Sequence, residues 1–139
     1  MIPTKLFVST KNVAKLLKIN KKVEIGEVLT MFAIVAYVPV DFVDSVVDAM
    51  SEAGAGDIGE YRACAFVCRG TGQFEPKQGA NPFIGQTGRL EKVDEARVEM
   101  VCEPGRVRAA LSALIEAHPY ETPAYHAYEV KTLDDFNNE

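Results

Sequence analysis

The chain has 139 residues, 47% hydrophobic and 25% charged, an ordinary composition for one globular domain. Acidic residues outnumber basic ones twenty to fifteen, a net charge of -5, which argues against a nucleic-acid partner because phosphates require a basic face. The longest apolar run, Met31 to Val40, is ten residues against the roughly 18–20 that span a bilayer, so no membrane span is expected.

Residues 1–30 hold six lysines against two glutamates, whereas the remaining residues hold nine basic against eighteen acidic side chains. The first thirty residues therefore read as an N-terminal extension outside the core, with Met31 a candidate natural start. At best they support one short amphipathic helix around 11–18. A basic arm for a partner surface is the weaker reading, because the lysines are dispersed and no arginine is present. The odd count of three cysteines (Cys64, Cys68, Cys102), with no secretory signal pattern before them, points to a reducing cytoplasm rather than a disulfide scaffold.

From Met31 onward two similar units follow. MFAIVAYVP reads as a buried strand, and Val40 to Ala53 as a helix with Val43, Val46, Val47 and Met50 on one face. Asp41 and Asp44 suit its first turn and Gly54 and Gly56 its end. Tyr61 to Arg69 reads as the second strand. The second unit repeats the order: strand Ala96 to Glu103, then a helix opened by Pro104 and ended by Pro119, burying Val107, Leu111, Leu114 and Ile115. Tyr125 to Val130 closes it. Two strand–helix–strand units predict an α+β, ferredoxin-like βαββαβ sandwich, a four-stranded antiparallel sheet with both helices on one face. Met31–Val38 and Ala63–Cys68 are apolar at odd and even positions alike, so the uncovered sheet face is expected to bury itself by oligomerisation. Residues 31–131 make up this core, and 132–139 read as an acidic, frayed tail.

Between the units lies a long loop, 70–88, with five glycines and two prolines. Long structured loops in small domains tend to be functional. A phosphate cradle is not expected, since Lys77 is not followed by Ser or Thr in a G-x-x-x-x-G-K-[ST] pattern. The plainer alternative is a hairpin extension packing Phe74, Phe83 and Ile84 on a neighbour.

The stretches GAGDIGEY (54–61), GTGQFEP (70–76), GANPFIG (79–85) and LEKVDEARVEM (90–100) resemble the domain inserted in YqfO-type proteins of the Nif-three-like (NGG-interacting factor) family. HPYETPAY (118–125) resembles the closing stretch of CutA proteins. Both groups belong to the PII-like superfamily, so the resemblance implies a PII/CutA-like subunit that assembles as a homotrimer, with its long loop between strands two and three. It also implies that the flanking lobes, whose histidines and acids bind two metal ions in full-length relatives, have no counterpart in this sequence.

His118, Tyr120 and Glu121, stiffened by Pro119 and Pro123, form the most concentrated polar-aromatic cluster. Imidazole and carboxylate suit a divalent metal ion, with His118 and Glu121 as ligands and His126 a third candidate. The alternative is that His118 caps the helix end as a cation. Cys64 and Cys68, four apart on one strand, are too widely spaced to share a metal within a subunit. Glu91, Asp94 and Glu95 read as a solvent-facing charge run. The expected function is a non-enzymatic module that binds a small ligand or metal ion in intersubunit clefts, or serves assembly. Gly72, Phe74, Asn81, Phe83, His118, Tyr120 and Glu121 are the candidate lining residues, largely through the resemblance. The alternative is a metal-dependent hydrolase, akin to the GTP cyclohydrolase-like relatives, with a site shared between subunits.

Overall fold

The computed structural model describes residues 30–136. The expectations for the first thirty residues thus lie, but for Thr30, outside the described residues. Strand β1 (Met31–Pro39) leads through a 3-10 turn (Val40–Phe42) into helix α1 (Val43–Glu52). Strands β2 (Phe66–Phe74) and β3 (Glu91–Cys102) follow, then a second 3-10 turn (Pro104–Arg106), helix α2 (Val107–Ala117) and strand β4 (Tyr125–Val130). The sheet order is β2-β3-β1-β4 with every neighbouring pair antiparallel, which is the ferredoxin-like arrangement.

The core lies between the helices and one face of the sheet. Ile34, Ala36 and Val38 of β1 and Ala96, Val98, Met100 and Cys102 of β3 meet Val46 and Met50 of α1 and Ala110 and Leu114 of α2. These strand positions alternate because successive side chains point to opposite faces. Ile115, expected in the core, is 43% exposed, because α2 turns the 110/114 stripe inward and leaves 115 beside it. Helix α1 ends in a Schellman motif: Gly54 donates to the Ser51 carbonyl and Ala55 to that of Met50, with Gly54 at φ +102.

Two strand boundaries differ from the sequence reading, in one linked way. Strand β2 starts at Phe66 rather than Tyr61, and β3 starts at Glu91 rather than Ala96. Upstream of β2, Ile58 and Tyr61 exchange backbone hydrogen bonds in a tight turn, and Ala63 is left-handed at φ 58. No extended strand passes through such a residue. Gly56 anchors this segment, donating to the Val101 carbonyl and accepting from the Cys64 amide. Downstream, Gly70 and Gly72 are not loop residues but pair with Glu95 and Val93. The loop proper therefore shrinks to 75–90, and Cys64 does not share a strand with Cys68. Of the expected frayed tail, the described part is folded: Leu133–Phe136 forms a 3-10 turn, and the Asp135 carboxylate accepts from the Thr132 amide at 2.6 Å.

The sheet face away from the helices carries small buried residues at its centre, Ala33 and Val35, with Arg97 and Glu99 paired at 3.0 Å beside them. His126 stacks on Tyr128 on the same face, ring centroids 6.0 Å apart. At the β2 edge Phe66 is 70% and Val67 44% exposed. Among the described residues, no helix is long and apolar enough to cross a membrane.

Candidate functional site

At the end of the sheet where β1 runs out and β3 begins, loop 75–90 and the turn 118–124 before β4 fold towards each other. Register sets what they meet. Tyr37 pairs with Arg97, Gly70 with Glu95, and Phe74 with Glu91, so Tyr37, Phe74 and Glu95 all lie on the helix-free face. The loop and turn roof this corner and leave a cleft of about 580 Å³, whose walls include Tyr37, Phe74, Phe83, Glu95, Tyr120 and Glu121.

Tyr120 is the hub. Its ring lies 5.6 Å from Phe74 in an edge-on contact, 6.5 Å from Phe83 and 5.0 Å from His118. Phe83 in turn meets Phe42 edge-on at 5.7 Å, which ties the loop back to the start of α1. The Tyr120 hydroxyl donates to Glu95 Oε1 at 3.1 Å. Burial, followed by that hydrogen bond and the Glu95 charge, pushes the phenol well above its ordinary range, so Tyr120 remains a protonated donor.

His118 supports the hub from below. It ends α2 in an extended conformation, φ -74 and ψ 135, as the residue before Pro119 must. The ring is only 6% exposed. Its Nδ1 accepts the Tyr120 amide at 3.1 Å, which leaves Nε2 as the protonated nitrogen, donating to the Tyr37 carbonyl at 2.7 Å. Burial lowers the ring's pKa from its ordinary value, partly opposed by the Tyr37 hydrogen bond and Glu95. A cationic cap on the helix end is thus not what forms. The ring is neutral and links β1 to the turn. Both nitrogens are engaged within the subunit, so neither offers a lone pair outward to a metal.

The loop is fixed to the turn by one long-range bond. The Asn81 amide donates to Glu121 Oε1 at 2.9 Å. Pro82 follows Asn81, and Gly79 and Gly85 flank the segment at φ +97 and +98, where a side chain would be strained. Gly72 acts differently. A Cβ there would collide with the Glu95 carboxylate, so the glycine makes the room in which that carboxylate reaches Tyr120.

Of the seven candidate residues, Phe74, Phe83, Tyr120 and Glu121 line the cleft. Asn81, Gly72 and His118 shape it through a backbone donor, an absent side chain and a buried ring. Within one subunit the loop meets its own turn, and the two enclose this cleft. His126 does not join His118; it lies on the open face against Tyr37 and Tyr128. Among the described residues no three His, Cys, Asp or Glu side chains gather as a metal site. Glu95 and Tyr37 escaped the sequence reading. Glu95 is half-buried in the cleft and not part of a solvent-facing run. The available signal was the alternation Glu91, Val93, Glu95, Arg97, Glu99, which continues the strand back past Ala96 and puts Glu95 on the Tyr37 face.

No protein-family model matches the chain. A Halalkalibacterium halodurans protein named "GTP cyclohydrolase 1 type 2 homolog" is 43% identical over 99 residues, 71% of this chain and 27% of that protein. The chain thus spans about a quarter of the length of the curated relatives it matches. Among solved structures, a Bacillus cereus protein related to NIF3 superposes with a TM-score of 0.65 at 38% identity, over 74% of this chain and 26% of that one. CutA1 from Shewanella sp. SIB1 superposes with a TM-score of 0.56 at 17% identity, over 74% of this chain and 83% of that one, which shows a shared fold.

Proposed function

We propose that this chain, homologous over about 70% of its length to Nif-three-like proteins and folded like CutA, is a non-enzymatic, homotrimeric module that holds a small molecule in the loop–turn cleft. The observation that carries the reading is that contacts within the protein itself fix the cleft's walls. Asn81 ties the loop to Glu121, and the Phe74–Tyr120–Phe83 cluster holds the walls apart at about 580 Å³. That volume falls within the roughly 300–1,000 Å³ of small-molecule sites.

The homotrimer is supported by the PII-like resemblance and by the surface. Phe66 and Val67 stand exposed on an edge strand, whose unpaired backbone invites a further strand. The open face offers side chains of both charges, Arg97 and Glu99, beside small buried apolar residues. Non-enzymatic action is supported by the commitment of the cleft's polar groups to one another: the Tyr120 hydroxyl to Glu95, and Glu121 to Asn81. The cyclohydrolase in the relatives' name belongs to proteins about four times this span.

Native mass spectrometry of the purified protein tests the reading. A trimer carrying extra small mass, one per subunit, is expected. A bare trimer would restrict the role to assembly, and a monomer would overturn the homotrimer.

A further inference from the structure

Within the cleft the charges do not balance. Three carboxylates, those of Glu75, Glu95 and Glu121, face one ammonium, that of Lys77, and no arginine lines the walls. Among the described residues no ion pair joins Lys77 to any of the three; the ion pairs formed are Arg89–Glu91, Arg97–Glu99 and Arg106–Asp57. Glu95 accepts one hydrogen bond, from the neutral Tyr120 hydroxyl, and Glu121 one, from the Asn81 amide. Neither bond cancels a charge.

The remaining wall is aromatic. Tyr37, Phe74, Phe83 and Tyr120 border the same space, and ring faces attract cations through their quadrupole. A carboxylate at the foot of an aromatic wall provides two attractions for a positive group; desolvation costs either sign, but a negative group also meets like charge and the negative faces of the rings. Phosphate or carboxylate ligands would instead need several arginines, lysines or a glycine-rich anion cradle.

Resting on the reading that this cleft holds a small molecule, we infer that it selects an organic cation: an ammonium group carried on an apolar body. The ammonium sits towards Glu95, and the apolar body lies along Phe74 and Phe83. Gly72 belongs to the device, because its missing side chain is what admits the Glu95 carboxylate to the cleft.

The test uses three probes of similar shape, 2-phenylethylammonium, 3-phenylpropanoate and 3-phenylpropan-1-ol, titrated into the labelled full chain and followed through the amide resonances of Phe74, Asn81 and Tyr120. The ammonium probe is expected to bind about tenfold or more tightly than the carboxylate probe. Glu95→Gln keeps an oxygen for the Tyr120 hydroxyl but removes the charge, and should weaken the ammonium probe about tenfold. Lys77→Met removes the competing ammonium and should tighten it. Equal or tighter binding of the carboxylate probe, or indifference to Glu95→Gln, would overturn the cation preference while leaving a ligand cleft standing. Failure of all three probes to shift these amides would bring down the ligand cleft along with it.

Discussion

Both ring nitrogens of His118 are hydrogen-bonded in the neutral form, and protonation would place a hydrogen on Nδ1 against the Tyr120 amide. Because the folded pKa lies below the ordinary 6.5, the unfolded chain takes up the proton first as pH falls. The stability His118 contributes is therefore complete above 6.5 and is lost as pH drops through the folded value. Thermal melts between about pH 7.5 and 5.5 should show Tm declining on the acid side, with a flatter profile in His118→Gln. Two glycines give a second contrast at this scale. At Gly56, φ +81, a Cβ would meet the Cys64 backbone at 2.7 and 2.8 Å, so Gly56→Ala should cost about 2–4 kcal/mol in chemical denaturation. At Gly72 the obstacle is the far end of the Glu95 side chain, which can swing aside, so Gly72→Ala should cost about 1 kcal/mol or less. The sequence marked Gly72 as a lining residue but concealed this reason, because a clash with a residue twenty-three positions away is a property of register alone.

Elements with a strong apolar period and clear punctuation were legible from composition and spacing. In β1, α1, α2 and β4 the element type was legible, and Gly54 and Pro119 mark the helix ends; both helices start three residues later than the sequence reading has them, because Val40–Phe42 and Pro104–Arg106 form 3-10 turns before them. Strands β2 and β3 were harder because their outer halves, Arg69–Phe74 and Glu91–Glu95, are glycine-rich and charged. Such residues form a ladder here only because each half supplies the other's partner. The cleft suffered accordingly: Phe74, Phe83 and Tyr120 were foreseen as lining it, whereas Tyr37 reads in the sequence only as part of a buried strand and Glu95 was hidden within a misplaced boundary. Helix α2 tests the packing. Leu114 is fully buried between the helices and β-sheet, so Leu114→Ala should cost about 2–5 kcal/mol in urea unfolding. Its neighbour Ile115 is 43% exposed, and Ile115→Ala should cost less than about 1 kcal/mol. Similar losses at both positions would mean that α2 is rotated from the orientation described.

For the molecule as a whole, the open face is the surface on which the proposed homotrimer can be tested. The Arg97 guanidinium donates to the Glu99 carboxylate, and that bond heads the causes that raise the Arg97 pKa. If the homotrimer assembles through this face, Arg97→Glu sets two carboxylates side by side and should convert the trimer to monomer in light scattering. An intact trimer would move the interface to the exposed β2 edge. Another consequence follows from the pairing of β1 with β4. Met31, the first residue of β1, stands directly opposite Val130, the last of β4. The polypeptide enters and leaves this fold at one spot, roughly 5 Å across. A host protein could therefore accept the entire unit within a single surface turn without rearranging its own backbone. Evolution could splice such a unit in or cut it out as a cassette.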